Sequence, residues 1–579
     1  MLNDLYTTAG EQLTGTPWQV YPRPQMKRDS WLNLNGWWDF AVTAREALPQ
    51  QYDRKILVPF CPESLLSGLK MEIKPGSFLY YRRKLTLPES FRQGRCLLHI
   101  GAADQIAQVY INGRIASNHT GGYTAFTVDI TDFLEAENEL VIRVFDDLRS
   151  KVLPYGKQTL NRGGMWYTPV SGIWQTVWLE NVPEQYIENL KITVTEHAAT
   201  ITVTPALSGD VVLEGKRYPL QNGVAELRPE EPHLWTPEDP YLYEFTVETE
   251  TDRVEGYFAL RTLEITAYNG IPRLCLNGEP YFFHGLLDQG YWSDGIYTPA
   301  SPACYEADIL EMKRLGFNTL RKHIKVEPEQ FYYDCDRLGM IVFQDMVNNG
   351  DYSFFRDTLL PTVGIQKWND TRMHRDTATR NAFLRTMEET VAQLQNHPSI
   401  CYWTIFNEGW GQFCIAEAYN KLKELDNSRF IDATSGWFRG KETDVDSRHV
   451  YFTPWWTLQP GAKPLVLSEF GGYTYPEPDH LFNPQKVYGY KTCKSKEQFQ
   501  TAMAELYNLK VLPAVERGLC AAICTQVSDV EDEINGMLTY DRKVCKADPE
   551  AMQQIAQALR DTFLRSCGLT THADSLPED

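Results

Sequence analysis

From about Trp31 to Pro183 apolar and polar positions alternate with a period of two, in short runs such as Tyr80-Tyr81-Arg82-Arg83-Lys84-Leu85-Thr86-Leu87 and Gln108-Val109-Tyr110-Ile111. That period sends successive side chains to opposite faces of a strand, so each run predicts a strand with one face toward a core. Asn112-Gly113, between Val109-Tyr110-Ile111 and Ile115-Ala116, predicts a tight hairpin, because both residues tolerate the positive φ of a type I′ turn. Many short strands at turn spacing predict a β-sandwich of the jelly-roll kind for residues 1–183. The same texture continues in Leu190-Lys191-Ile192-Thr193-Val194, Thr200-Ile201-Thr202-Val203 and Leu242-Tyr243-Glu244-Phe245-Thr246-Val247, which suits a small immunoglobulin-like β-sandwich over residues 184–269.

After Asn269-Gly270 apolar runs of four to six residues alternate with helical patterns, the first of which, Tyr305 to Leu315, carries Ile309, Met312 and Leu315 on one face. The strands expected are Phe282-Phe283-His284-Gly285, Phe317-Asn318-Thr319-Leu320-Arg321, Gly339-Met340-Ile341-Val342-Phe343, Cys401-Tyr402-Trp403-Thr404-Ile405-Phe406, Phe430-Ile431-Asp432-Ala433-Thr434, His449-Val450-Tyr451-Phe452, Pro464-Leu465-Val466-Leu467-Ser468 and Leu519-Cys520-Ala521-Ala522-Ile523-Cys524. Eight strands separated by helices over residues 270–579 predict a (β/α)₈ TIM barrel, and a doubly wound sheet would need fewer.

Composition narrows the function. With 579 residues, several structural units are expected, and 43% hydrophobic with 23% charged residues is a globular composition without an apolar run long enough to span a bilayer. A net charge of −20 with no basic run disfavours nucleic acid as a partner. The N-terminal residues carry no secretory pattern, and the 12 cysteines form no CxxC pair, so reduced thiols and a cytoplasmic location are expected, with neither a zinc site nor a disulfide framework.

Chemistry in such barrels sits at the C-terminal ends of the strands. Strand four runs out in Asn407-Glu408-Gly409 and strand seven in Ser468-Glu469-Phe470, each placing a carboxylate directly after a buried apolar run. Two glutamates facing one barrel mouth suit hydrolysis of a glycosidic bond, one protonating the departing oxygen and the other attacking or activating water. The dipeptide alone proves little, since Asn138-Glu139 recurs in a polar turn.

These residues, with Leu34-Asn35-Gly36-Trp37-Trp38-Asp39-Phe40, Val58-Pro59-Phe60, Ser171-Gly172-Ile173-Trp174-Gln175-Thr176-Val177 and Leu234-Trp235-Thr236-Pro237-Glu238-Asp239-Pro240-Tyr241-Leu242-Tyr243, make the chain resemble glycoside hydrolase family 2, which contains β-galactosidases, β-glucuronidases and β-mannosidases. The resemblance implies a jelly roll, an immunoglobulin-like sandwich and a catalytic barrel in that order. It implies Glu408 as acid/base, Glu469 as nucleophile and a retaining double displacement, with Asn407 on the sugar 2-hydroxyl. It also supports Arg321, whose charged fork matches a carboxylate.

His323 and Lys325 lie just beyond Arg321, where β-galactosidases differ, and His323 is kept as a substrate-site candidate. Trp437, His449, Trp455 and Trp456 follow strands five and six, where flat rings stack on a sugar's apolar face, and Trp437 and Trp455 are taken as substrate-binding candidates. Gln526 and Asp529 are weaker rim candidates, and the aperiodic stretch from Asp345 to about Asp376 has the character of a site-shaping loop. Relatives bond the nucleophile through a tyrosine after strand six, a role that His449-Val450-Tyr451-Phe452-Thr453 leaves unassigned.

The Asn-x-Lys motif by which β-glucuronidases recognise a uronic carboxylate occurs only as Asn189-Leu190-Lys191 and Asn508-Leu509-Lys510, neither suitably placed, so glucuronide specificity is disfavoured. The strand-two loop likewise argues against typical β-galactosidases and the magnesium some of them use, and no metal or other cofactor is expected. The reading is an exo-acting β-glycosidase with a carbohydrate substrate and no membrane partner. The sequence does not fix the oligomeric state; members of the resembled family are often dimers or tetramers, so the resemblance admits a homo-oligomer. The alternatives are a non-catalytic carbohydrate-binding protein on a decayed barrel and an endo-acting polysaccharide hydrolase, which would show an open groove.

Overall fold

The computed structural model describes residues 2–362, 365, 370–438, 440–451 and 453–570. Part of the expected Asp345–Asp376 loop, and Phe452 of the expected sixth strand, lie outside the described residues.

The N-terminal unit packs a four-stranded antiparallel sheet, with Arg95–Ile100 and Val177–Val182 at its centre, against a six-stranded one built around Gly36–Thr43, Ser77–Leu85 and Asn138–Asp146. Alternation places Trp38 and Phe40 in the core while Trp37 remains 56% exposed. The Asn112-Gly113 hairpin forms, with φ of 51° and 76°, between Ile106–Ile111 and Arg114–Thr120. A second sandwich follows, a sheet of Asn189–Val194, Ala199–Thr204 and Val224–Leu227 facing one that includes Gly209–Leu213, Tyr243–Thr249 and Arg253–Phe258.

Buried Glu180 stands where the sandwiches meet. It accepts from the Tyr21 hydroxyl at 2.6 Å, Arg23 Nη2 at 2.7 Å and Arg28 Nη1 at 3.1 Å, and Arg28 Nη2 reaches Asp252 of the second sandwich at 2.8 Å. Burial raises the Glu180 carboxyl, but Arg23, His99 and Arg28 outweigh that and hold it well below the ordinary range. Glu180→Ala would leave the buried Arg28 and the half-buried Arg23 guanidinium short of a partner, and a loss of about 3–5 kcal/mol is expected. A lowered midpoint of the first thermal transition would show it, and an unchanged midpoint would refute it.

The barrel strands are β1 (Phe283–Asp288), β2 (Thr319–Lys322), β3 (Ile341–Asp345), β4 (Ile400–Asn407), β5 (Phe430–Ser435), β6 (Asp446–Val450), β7 (Leu465–Gly471) and β8 (Leu519–Thr525). They form one parallel sheet in the order β5-β4-β3-β2-β1-β8-β7-β6. The seam between β5 and β6 is closed by Asp444, whose amide reaches the Ile431 carbonyl and whose carboxylate accepts from the Ile431 amide, both at 2.9 Å. Strands covered on both faces read as continuous apolar runs, which is why periodicity locates them.

Helices α1 (Ala303–Arg314), α2 (Glu329–Leu338), α3 (Thr377–Leu394), α4 (Ile415–Leu425), α5 (Lys496–Leu506), α6 (Leu512–Arg517) and α7 (Pro549–Cys567) surround the barrel. Gly339 ends α2 at φ 70°, where a Cβ would lie 2.4 Å from the Pro237 carbonyl oxygen, so the stop requires glycine. The expected alternation fails in two successive links. Among the described residues no α-helix follows β5 or β6, and the second link holds only the 3₁₀ turn Trp455–Thr457. Only ten residues separate β5 from β6, too few for a helical crossover, and Pro454, Pro460 and Pro464 interrupt the second link.

Candidate active site

Backbone geometry at the strand ends aims the two glutamates. Glu408 follows β4 with φ 50°, a left-handed conformation held by its amide donating to the Ser435 carbonyl at 2.8 Å. Glu469 lies within β7 and faces the barrel interior, while the next residue, Phe470, meets Tyr507 of the helical layer. One oxygen of each carboxylate and a ring nitrogen of His449 lie within 4.8 Å of one another.

Fixed donors surround Glu469. Arg321, at the end of β2, donates from Nη1 to Glu469 Oε1 at 3.1 Å, and the Tyr451 hydroxyl donates to Oε2 at 2.9 Å. Arg321 is held in turn by Asp345, which accepts from its Nε at 2.9 Å. Its Nη2 donates to Asn407 Oδ1 at 2.9 Å, which turns the asparagine amide nitrogen away from the guanidinium. His323 Nδ1 meets the other oxygen of Asp345 at 2.7 Å, so His323 braces the base of this network. Burial lowers His323 to about 3 and keeps it neutral.

Burial pushes the Glu408 carboxyl up to about 7, opposed by the charges of Lys157 and Arg321. It also raises Glu469, and the charge of Arg321 offsets that only in part. His449 is lowered to about 4 by burial, so the ring is neutral, with Nδ1 2.8 Å from Glu408 Oε1 and Nε2 3.0 Å from the Ser435 hydroxyl. The arrangement thus offers one carboxyl that carries a proton near neutral pH beside one that accepts from two fixed donors, Arg321 and Tyr451.

Trp437 lies close by, its ring 5.8 Å from that of His449, with an indole nitrogen that has no partner among the described residues. Trp455 is not brought to the carboxylates. Its ring packs edge-on against Phe470, on the helical side of β7, and Trp456 is 72% exposed. His449 bonds a carboxylate instead of presenting a stacking face. Lys325, Gln526 and Asp529 are absorbed in local structure, bonded to Glu327, Asn535 and Lys546 respectively.

The sequence did not single out the connection 147–171 of the N-terminal sandwich, which lies across the barrel mouth. Gly350 donates to the Lys151 carbonyl at 2.8 Å, Asn349 Nδ2 to the Val152 carbonyl at 2.7 Å, and Arg162 Nη1 meets Glu531 and Asp532 at 3.2 and 3.0 Å. Trp166 from this connection stacks on Trp410 at 5.2 Å and meets Tyr352 at 4.9 Å, forming an aromatic wall. Lys157 enters beside it, 4.8 Å from the Trp410 ring, and Tyr490 faces Tyr451 at 4.4 Å. An irregular segment carries no period, so its only signal was its length.

Comparison with known proteins assigns the architecture. Residues 273–557 match the profile "Glycosyl hydrolases family 2, TIM barrel domain", residues 69–183 the family 2 sugar binding domain and residues 180–261 the profile "Glycosyl hydrolases family 2". The chain is 23% identical over 434 residues to a β-galactosidase of Thermoanaerobacter pseudethanolicus, covering 69% of this chain and 54% of that one. It is 27% identical over 369 residues to a putative β-glucuronidase of Formosa agariphila, covering 58% and 41%. The chain therefore spans about half the length of these curated relatives. A solved β-glucuronidase from an uncultured Clostridium sp. superposes with a TM-score of 0.72 at 18% identity, over 94% of this chain and 100% of that one, a likeness of fold.

Proposed function

Because this chain belongs to glycoside hydrolase family 2, we propose that it is a retaining, exo-acting β-glycosidase with Glu469 as nucleophile and Glu408 as acid/base. The observation that carries the reading is the approach of the two carboxylates, with one oxygen of each within 4.8 Å. That leaves no room for a water between them and the sugar, and it fits the roughly 5–5.5 Å separation of carboxyl groups in retaining enzymes rather than the wider gap of inverting ones.

In the first step Glu469 attacks the anomeric carbon as the glycosidic bond breaks, and Glu408 gives its proton to the leaving oxygen. The ester so formed removes a neighbouring negative charge, Glu408 becomes the stronger acid, and it then takes a proton from the water that opens the ester. Arg321 and Tyr451 hold Glu469 in line, and the Asn407 amide nitrogen is placed to donate to a sugar 2-hydroxyl. Trp166, Trp410 and Tyr352, together with the connection across the mouth, favour a closed end over an open groove. Trp437 and His323 serve as wall and brace.

The test is hydrolysis of a p-nitrophenyl β-glycoside panel, followed by proton NMR of the first-formed sugar. A β-configured initial product is expected. An α-configured one, or no hydrolysis of any member, would refute the reading. Activity should follow a bell-shaped pH profile, falling on the basic side through about 7 as Glu408 loses its proton.

Tyr451→Phe removes a donor to the ionised nucleophile, so kcat is expected to drop about 10- to 100-fold and the acidic limb to move to higher pH, because an ionised carboxylate with fewer donors holds its proton more tightly. An unmoved limb would assign Tyr451 to packing alone. A cytoplasmic setting fits the 12 free cysteines, and light scattering would test assembly into a homo-oligomer.

A further inference from the structure

A buried lysine and a buried glutamate at the barrel mouth lack the oppositely charged partners such groups normally have. Lys157 is 94% buried by its 6% exposure, and among the described residues its ammonium makes neither a hydrogen bond nor an ion pair within 4.0 Å. Its surroundings are the faces of Trp410, at 4.8 Å, and Tyr167, at 6.0 Å. Glu533, on the loop after β8, is 4% exposed and has no basic residue within 4.0 Å among the described residues. Its neighbours behave differently, since Glu531 and Asp532 are both paired with Arg162.

Glu533 is fixed without being used up. Its Oε2 accepts from the Tyr167 hydroxyl at 2.5 Å and its Oε1 from Asn535 Nδ2 at 2.9 Å. Each carboxylate oxygen has a second lone pair, and the ammonium has three donors. Lys157 and Glu533 meet at Tyr167, whose hydroxyl bonds Glu533 and whose ring lies 6.0 Å from the ammonium, while Trp410, 4.8 Å from the ammonium, follows Glu408 by two residues. An ammonium and a carboxylate held apart in a mostly buried site are costly unless polar groups come between them, and the hydroxyl groups of a ligand would supply such groups.

We propose that Lys157 and Glu533, supplied by different domains, read neighbouring hydroxyl groups of a neutral sugar, one accepting from the ammonium and one donating to the carboxylate. The inference rests on the glycosidase reading and adds the substrate class. An uncharged sugar leaves the pair balanced, whereas a uronic acid would bring a carboxylate against Glu533 in a site that already holds Glu408 and Glu469. Like charges at such range are strongly disfavoured when water is excluded. The specificity pocket is then interdomain, and the barrel by itself lacks its cation.

The experiment compares kcat/KM of the full chain on p-nitrophenyl β-D-glucoside, β-D-galactoside, β-D-xyloside, β-D-glucuronide and β-D-galacturonide, for wild type, Lys157→Met, Glu533→Gln and the double variant. The best wild-type substrate is expected to be neutral, by at least about 100-fold over either uronide. Each single variant should lose about 10- to 100-fold on it, chiefly through KM, and the double variant less than the product of the two losses, as expected of residues gripping one ligand.

Glu533→Gln, nearly isosteric, should also gain at least about tenfold on a uronide relative to the neutral sugar, since it leaves Lys157 uncompensated. A wild type that prefers a uronide, or single variants that stay within threefold of wild type with unchanged thermal midpoints, would overturn the inference while leaving the glycosidase reading intact. Silence of the wild type on all five, with no 2-deoxy-2-fluoro glycoside label on Glu469, would overturn both.

Discussion

Alanine at position 469 is expected to abolish turnover, lowering kcat about 10⁵- to 10⁶-fold while the protein still binds its substrate, because no covalent intermediate can form. The loss should be similar for activated and unactivated leaving groups, since bond formation to the anomeric carbon is common to both. Removing the carboxylate opens space on the face that Arg321 and Tyr451 line. Azide admitted there should attack from that side and restore activity as an α-glycosyl azide. A β-glycosyl azide from this variant, or a kcat within tenfold of wild type, would assign the nucleophile elsewhere.

The second large effect is expected at Glu408. Glu408→Ala removes the proton donor, so alkyl glycosides should lose about 10²- to 10⁴-fold in kcat, whereas p-nitrophenyl glycosides, whose leaving group departs without a proton, lose far less in the first step. Their glycosyl ester should then accumulate, because water lacks its base. Azide needs no base, and should rescue this variant as a β-glycosyl azide. The same substitution should erase the basic limb of the pH profile, the one expected through about 7 because burial raises this carboxyl. Retention of that limb would show that another group supplies the proton.

Much of the frame was legible because it depends on short-range regularity. Period-two runs and the Asn112-Gly113 turn specified the sandwich hairpin, and continuous apolar runs located all eight barrel strands to within a few residues. Among the described residues the helices expected after β5 and β6 do not form, since the links are short or interrupted by proline, a constraint that counting alternations overlooks. Within the site, Asn407, Glu408, Glu469 and Arg321 were singled out because each lies at or near the C-terminal end of a strand whose position was legible. Trp455 follows a strand too, yet its ring turns to the helical side against Phe470, and sequence position cannot tell the two faces apart at a strand's frayed end.

Other members of the constellation left no local trace. Tyr451 and His449 were visible as residues after strand six, but which of them would reach Glu469 or Glu408 depends on a register shift between β6 and β7 at Arg448/His449. Asp345 was the first residue of an aperiodic stretch, and its role as the shared acceptor of Arg321 and His323 exists only once β2 and β3 are paired.

The sequence by itself determined the order of the three units, the barrel and the two strand-end glutamates, because hydrophobic periodicity and strand termini are properties of neighbouring residues. The tertiary structure alone decided which groups surround those glutamates. Lys157 and Trp166 come from an irregular connection of the N-terminal sandwich and Glu533 from the loop after β8, and their meeting rests on domain docking through contacts such as Arg162 with Glu531 and Asp532. Groups so far apart in the chain acquire a common electrostatic environment only when folding removes the water between them.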